Sequence, residues 1–201
     1  MVSKTREKLI EVARQLFIKK GVENTTMNDI ATASEKGRRT VYTYFKNKKE
    51  IFNAVVSQQS DKIIEELRAL SHLPLPPLDK LRNYLTERFL LFDRLTQQSE
   101  KTHNFFNRDH RRIERIYRQT VEKEGAILDS MMSEGIAAGV FDAVQAARLS
   151  GFIAIVSQMP DTSVRISASD SKANVEIMRG KAIEFIIKGI VKSNNNNNSL
   201  L

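Results

Sequence analysis

Cysteine is absent from the 201 residues, which excludes disulfides, thiolate metal sites and a cysteine nucleophile. The absence agrees with a reducing, cytoplasmic setting. Tryptophan is absent too, and four prolines and eight glycines are too few for a turn-rich β fold. No apolar run approaches the ~20 residues that a membrane span needs. The polar start, Met1 to Ile10, is expected to carry no secretory signal. The three histidines, His72, His103 and His110, lack metal-ligand spacing. No Ser–His–Asp set or glycine-rich phosphate loop occurs, so catalytic residues, metals and cofactors are not expected, and neither is a membrane partner.

The charge that is present is unevenly placed. Residues 1–50 hold twelve Lys and Arg against six Asp and Glu, whereas the other 151 hold twenty against eighteen. Most of the net +8 therefore lies in the first quarter. Such an imbalance suits either a solvated basic surface or a polyanionic partner.

Apolar spacing predicts helices throughout. Leu9, Ile10, Ala13, Leu16 and Phe17 recur at helical intervals over 4–20, and Gly21 is placed to end that helix. Thr26 and Asp29 have capping-box spacing for a second helix. A short third helix is expected over 37–43, and Asn47 with Glu50 signals a fourth over 48–70. Pro74, Pro76 and Pro77 break the chain there. Further helices are expected over 78–98, 108–138, 143–159 and 174–192. Between them lie a polar break near 99–104 and a loop over 160–171. The tail, 193–201, contains five consecutive Asn and is expected to be disordered. The resulting division is a basic three-helix segment over 1–47, a longer helical part over 48–192, and the tail.

The second and third helices with their short break suit a helix-turn-helix, in which the later helix enters the major groove. The stretch Thr25-Thr26-Met27-Asn28-Asp29-Ile30-Ala31, followed by Thr40-Val41-Tyr42-Thr43-Tyr44-Phe45-Lys46-Asn47-Lys48-Lys49-Glu50-Ile51-Phe52, resembles the DNA-binding signature of the TetR family of bacterial transcriptional regulators. Ala13, Phe17 and Gly21 extend the resemblance upstream, so that it covers about residues 5–55. Farther on, the chain is similar only in helical layout and in Gly139–Asp142. The resemblance implies an all-α fold: a three-helix N-terminal domain joined by a connecting helix to a helical dimerisation and ligand-binding part. The turn departs from the family pattern. Ser34, Glu35, Lys36 and Gly37 stand where the family has Ala, Gly, Val and Ser, so Lys36 must snorkel or the turn must be built differently. Arg39 stands where a small residue is common.

Side-chain chemistry assigns roles. An Arg bonds bidentately to guanine, and consecutive helical residues point ~100° apart. One of Arg38 and Arg39 is therefore expected to read a base and the other to hold a phosphate. Thr26 can cap its helix and touch a phosphate. The resemblance implies phosphate contacts from Tyr42, Tyr44 and Lys48. Thr40, Thr43 and Lys36 complete the expected DNA-facing set, and Phe45 is expected in the core. Lys48 also stands in the first turn of a helix, where the dipole opposes a cation by a few tenths of a kcal/mol; a docked phosphate would reverse that sign.

The last two helices carry more apolar surface than one core face requires, among it Leu149, Phe152, Ile153, Phe185, Ile186 and Ile187. They are expected to form a homodimer interface, which lets two reading heads engage a palindromic operator in double-stranded DNA. A small-molecule effector is expected in the helical part, lined by Tyr84, Phe89, Phe92, His103, Phe106 and Tyr117. The function that follows is a repressor released by its effector. The alternative is a DNA-binding regulator controlled by a protein partner without any small molecule.

Overall fold

A computed structural model describes residues 4–99, 110–149 and 172–192. Its helices are α1 (Lys4–Lys20), α2 (Met27–Ala33), α3 (Arg38–Tyr44), α4 (Lys48–Ser71), α5 (Pro77–Ser99), α6 (His110–Ala137), α7 (143–149, where the description stops) and α8 (Lys172–Ile190). No strand occurs among the described residues, only an isolated antiparallel bridge between Phe141 and Val191. The fold is all-α. The expected boundaries move by at most two residues where both ends are described. The polar break beyond residue 99, the rest of the 143–159 helix, the 160–171 loop and the tail lie outside the described residues.

The chain forms two compact units, Met1–Ile63 with Phe92–Gln119, and Ile64–Leu91 with Thr120–Leu201. In the first, Leu9, Ala13 and Phe17 of α1 pack with Ile30 of α2, Val41 of α3, and Ile51 and Phe52 of α4. Phe17 and Phe52 meet edge to face with centroids 5.9 Å apart, a favoured arrangement of their ring quadrupoles. Gly21, at φ +82°, ends α1 in the left-handed conformation that glycine adopts without a Cβ clash. Its amide donates to Phe17 O at 2.9 Å.

In the second unit Pro77 occupies the first position of α5, where its missing N–H is no loss. Leu81, Tyr84 and Leu85 of α5 are buried, as are Leu128 and Met131 of α6, and Ile183 and Ile187 of α8. Gly139, at φ +71°, ends the turn after α6. Phe141 then folds its ring onto Gly135. The Asp142 amide donates to Ile190 O at 2.8 Å and that of Lys192 to Val140 O at 3.0 Å, which clasps this turn to the end of α8. Asp142 Oδ1 accepts from the amides of Val144 and Gln145, capping α7.

Candidate nucleic-acid interface

The local sequence builds α2 from its cap. Thr26 Oγ1 accepts from the Asp29 amide at 3.1 Å, and Asp29 Oδ2 accepts from the Thr26 amide at 2.7 Å. This is the reciprocal capping box that the spacing predicts. Lys20 Nζ adds an ion pair to Asp29 Oδ2 at 2.8 Å. The Lys20 ammonium and the Thr26 hydroxyl and amide together hold the Asp29 carboxyl down at about 2.

The turn after α2 is a Schellman motif. Glu35 N donates to Thr32 O at 3.1 Å and Lys36 N to Ala31 O at 3.0 Å. The residue that must turn left-handed is Glu35, at φ +56°. That is the position where the family pattern has glycine, and here a glutamate adopts the left-handed conformation. Lys8 Nζ pairs with Glu35 at 3.1 Å on the surface. Ser34 is fully buried, with its hydroxyl donating to Ala31 O. Lys36 is half-buried, as a snorkelling side chain would be.

Val41 anchors α3 in the core with no exposed surface, and Tyr44 packs half-buried against the same cluster. Arg38, Arg39, Tyr42 and Thr43 are exposed. At ~100° per residue they form one arc about 140° wide, opposite Val41. Arg38 lies beside Tyr42 on one edge of the arc, and Arg39 beside Thr43 on the other. The Thr43 hydroxyl donates to Arg39 O at 2.9 Å. Of the two tyrosines, Tyr42 is the exposed one, at 45%. Thr26 is exposed, Thr40 half-buried and Phe45 buried. Arg6 stacks its guanidinium on the Phe45 ring, 5.2 Å from the centroid, joining the start of α1 to the end of α3.

Asn47 Oδ1 accepts from the Glu50 amide at 2.9 Å and caps α4. Glu50 reaches back to the amide of Lys46. Lys48 is half-buried. Its Nζ donates to Val22 O at 2.6 Å and to Glu23 O at 3.0 Å, in the connection between α1 and α2. Neither this tie, nor the Arg6–Phe45 stack, nor the Lys20–Asp29 pair was readable from spacing, because each joins residues that only the packed helices bring together.

The expected effector residues are placed unevenly. Tyr84 is fully buried, and its hydroxyl lies 3.5 Å from Glu124 Oε1. Glu124 also pairs with Arg88. Burial, together with the Glu124 charge, pushes the Tyr84 phenol far above its ordinary value. Phe89 is half-buried. Phe92 and Tyr117 lie on α5 and α6, but their side chains are outside the described residues, as are His103 and Phe106 altogether. No described group of His, Asp and Glu is arranged to hold a metal ion. Among the described residues no helix is long and apolar enough to cross a membrane.

A capped helix, a left-handed turn and a second helix with an outward basic and hydroxylic arc define a helix-turn-helix protein. The family model described as "Bacterial regulatory proteins, tetR family" matches residues 9–55. The chain is 31% identical over 153 residues to the probable HTH-type transcriptional regulator ArpR of Pseudomonas putida, covering 73% of this chain and 69% of that protein. Over 79 residues it is 43% identical to the probable acrEF/envCD operon repressor of Escherichia coli K12, covering 37% of this chain and 36% of that one. It thus spans little more than a third of the length of this second relative. A crystal structure of a TetR/AcrR-family regulator from Thermobifida fusca superimposes with a TM-score of 0.74 at 21% identity, over 93% of this chain and 98% of that one. The chain belongs to the TetR family of bacterial regulatory proteins. Its relatives and fold neighbours are transcriptional regulators, not enzymes.

Proposed function

We propose that this regulator is a sequence-specific repressor that binds a palindromic operator as a homodimer and leaves it when a small-molecule effector binds. The observation that carries the DNA reading is the outward arc of α3, with two arginines, a tyrosine and a threonine opposite the buried Val41. The first residues of a recognition helix reach base edges, and an arginine there reads guanine in the major groove. Tyr42, Thr43, Thr26, Thr40 and Lys36 supply backbone contacts around it. Repression is supported by the name of the E. coli relative.

The homodimer is supported by α8. Its Ile183, Ile187 and Ile190 are buried, while Ile177 and Met178 are each 56% exposed and Phe185 is 81% exposed. One face serves the core, and on the other side Ile177, Met178 and Phe185, interspersed with Lys181 and Lys188, are exposed among the described residues, which suits a symmetric, self-complementary contact. Gly189, one turn after Phe185 on the exposed side, has open space beside it, so a second helix can approach closely there.

The test is selection of bound duplexes from a random-sequence library. Enrichment of a two-fold symmetric site, with half-site centres about one helical turn or ~34–36 Å apart, is the expected result. Binding without enrichment of any sequence overturns the reading. In the enriched duplex, Arg38→Ala or Arg39→Ala should relax one base position at a cost of about 1–3 kcal/mol. An effector must obey linkage: a compound bound to the protein has to weaken the enriched duplex by the factor by which the duplex weakens the compound. A compound that binds without that coupling is not the effector.

A further inference from the structure

The guanidinium of Arg6, in the first turn of α1, lies over the ring of Phe45 with its central carbon 5.2 Å from the centroid. Arg6 continues the stripe of Ile10, Ala13 and Phe17 that α1 turns to the core, and it is half-buried. Phe45 is buried and closes the C-terminal end of α3, its amide donating to Val41 O at 3.0 Å. A guanidinium stacks through its face, while its five N–H donors point outward in its plane. Stacking therefore fixes the group and leaves the donors available. Among the described residues no carboxylate or carbonyl accepts from them. Glu50, the acid on the stretch that follows Phe45, is committed to the amide of Lys46 at 2.8 Å. Lys46 itself is exposed and adds a second cation next to Phe45.

The place of this cation matters for a helix in a groove. The seven residues of α3 make a helix about 10 Å long, and the major groove is about 12 Å wide. With the first residues of α3 on base edges, its far end comes up beside a sugar–phosphate wall. That far end carries the negative pole of the helix dipole, which by itself repels phosphate. A cation held there by a buried ring reverses the local sign. We propose that Arg6 is a phosphate-binding residue of the reading head: stacked on Phe45, it presents the edge of its guanidinium to the DNA backbone beside the C-terminal end of α3. The proposal rests on the reading of α3 as the recognition helix. It adds an anchor from α1, outside the helix-turn-helix. Arginines on bases at one end of α3 and on a phosphate at the other would fix its register along the groove.

The test measures affinity for a mixed-sequence duplex across salt concentrations in the full chain, together with urea unfolding. It compares wild type with Arg6→Met, Arg6→Lys and Lys19→Met. Methionine keeps an apolar stem over Phe45 and removes the charge and the donors. A phosphate contact predicts that the slope of log affinity against log salt falls by about 0.9 in Arg6→Met for each reading head on the duplex, the loss of one neutralised phosphate. The slope should stay near wild type in Arg6→Lys, which keeps the charge. It should also stay in Lys19→Met, which removes an exposed cation at the other end of α1. A guanidinium that only covers the core predicts a lower urea midpoint in Arg6→Met and an unchanged slope, and that result overturns the proposal. Equal slope losses in Arg6→Met and Lys19→Met overturn it as well, because they report the overall charge of the head. If Arg6→Met loses helix content, Arg6→Gln, whose planar amide can still lie on the ring, carries the same comparison. If wild type does not bind the duplex, the DNA reading fails and the proposal with it. If wild type binds and the slope survives in Arg6→Met, the proposal fails alone.

Discussion

Two residues of the turn between α2 and α3 do not suit their backbone. Glu35 holds φ +56°, a conformation in which a Cβ crowds the carbonyl oxygen at a cost of roughly 1–2 kcal/mol. Its ion pair with Lys8 is exposed, 85% on the glutamate side, and such pairs contribute little. Glu35→Gly should therefore raise stability, by about 0.5–1 kcal/mol after the extra freedom that glycine has in the unfolded chain. Gly37 caps α3 with no side-chain hydrogen bond and has open space where a Cβ would stand. Gly37→Ser should add a few tenths of a kcal/mol. Urea unfolding of both variants checks the two signs, and a less stable Glu35→Gly chain would refute the strain argument. Asp29 gives the residue scale its pH dependence. Its carboxyl titrates at about 2 in the folded chain, chiefly through Lys20 and then Thr26, below the ordinary value of 3.8. A depressed carboxylate contributes stability that is complete above its unfolded value and is lost as pH falls through the folded one. The loss should fall between about pH 4 and pH 2, and Asp29→Asn should flatten the melting temperature across that window.

At the level of elements, what could be read from the sequence is what depends on near neighbours. The capping box at Thr26, the stop at Gly21 and the span of α1 follow from residues three or four positions apart, and the structure reproduces each. The exposed arc of α3 follows in the same way, because one buried Val41 orients seven residues. The Lys48 tie and the stacking of Arg6 on Phe45 could not be read, because they form only once separate helices pack. The buried set of Tyr84, Arg88 and Glu124 is of the same kind: spacing makes Tyr84 an aromatic face residue, and only packing shows that its hydroxyl meets a carboxylate. The Phe141 clasp is a fourth example. Gly139–Asp142 marks a turn in the sequence, but its ring covers Gly135 so closely that an added Cβ would stand 2.0 Å from Phe141 Cδ2. Gly135→Ala must displace the ring or the helix, and overpacking of that kind typically costs 1–3 kcal/mol. Gly125 lies on the same helix with open space beside it, so Gly125→Ala should be stabilising by up to about 1 kcal/mol. Thermal melts of the two variants should move in opposite directions, and equal shifts would show that the clasp does not constrain α6.

For the whole molecule, the question is whether one chain suffices. A single helix-turn-helix reads few base pairs, and specificity in this class comes from two heads held at a fixed spacing. In the proposed dimer that demand falls on the exposed side of α8, where Phe185 is the most exposed large hydrophobic side chain, at 81%. Phe185→Glu discriminates between a monomer and a dimer because its effects are opposite in the two. On an isolated chain the glutamate would stand on open surface, four residues after Lys181 and three before Lys188, where it gains weak helical ion pairs and costs nothing. In a symmetric interface it would bring two carboxylates into an apolar contact, and desolvating them is expensive. Wild type should therefore elute with about twice the 22.9 kDa of one chain, and the variant with that mass alone, at unchanged helix content. Affinity for a palindromic duplex should fall by at least two orders of magnitude, since the second head would no longer be held at a high effective concentration. Affinity for an isolated half-site should stay the same. A wild-type chain that is already monomeric at micromolar concentration, or a variant that remains paired, would mean that the apolar face of α8 serves some other contact.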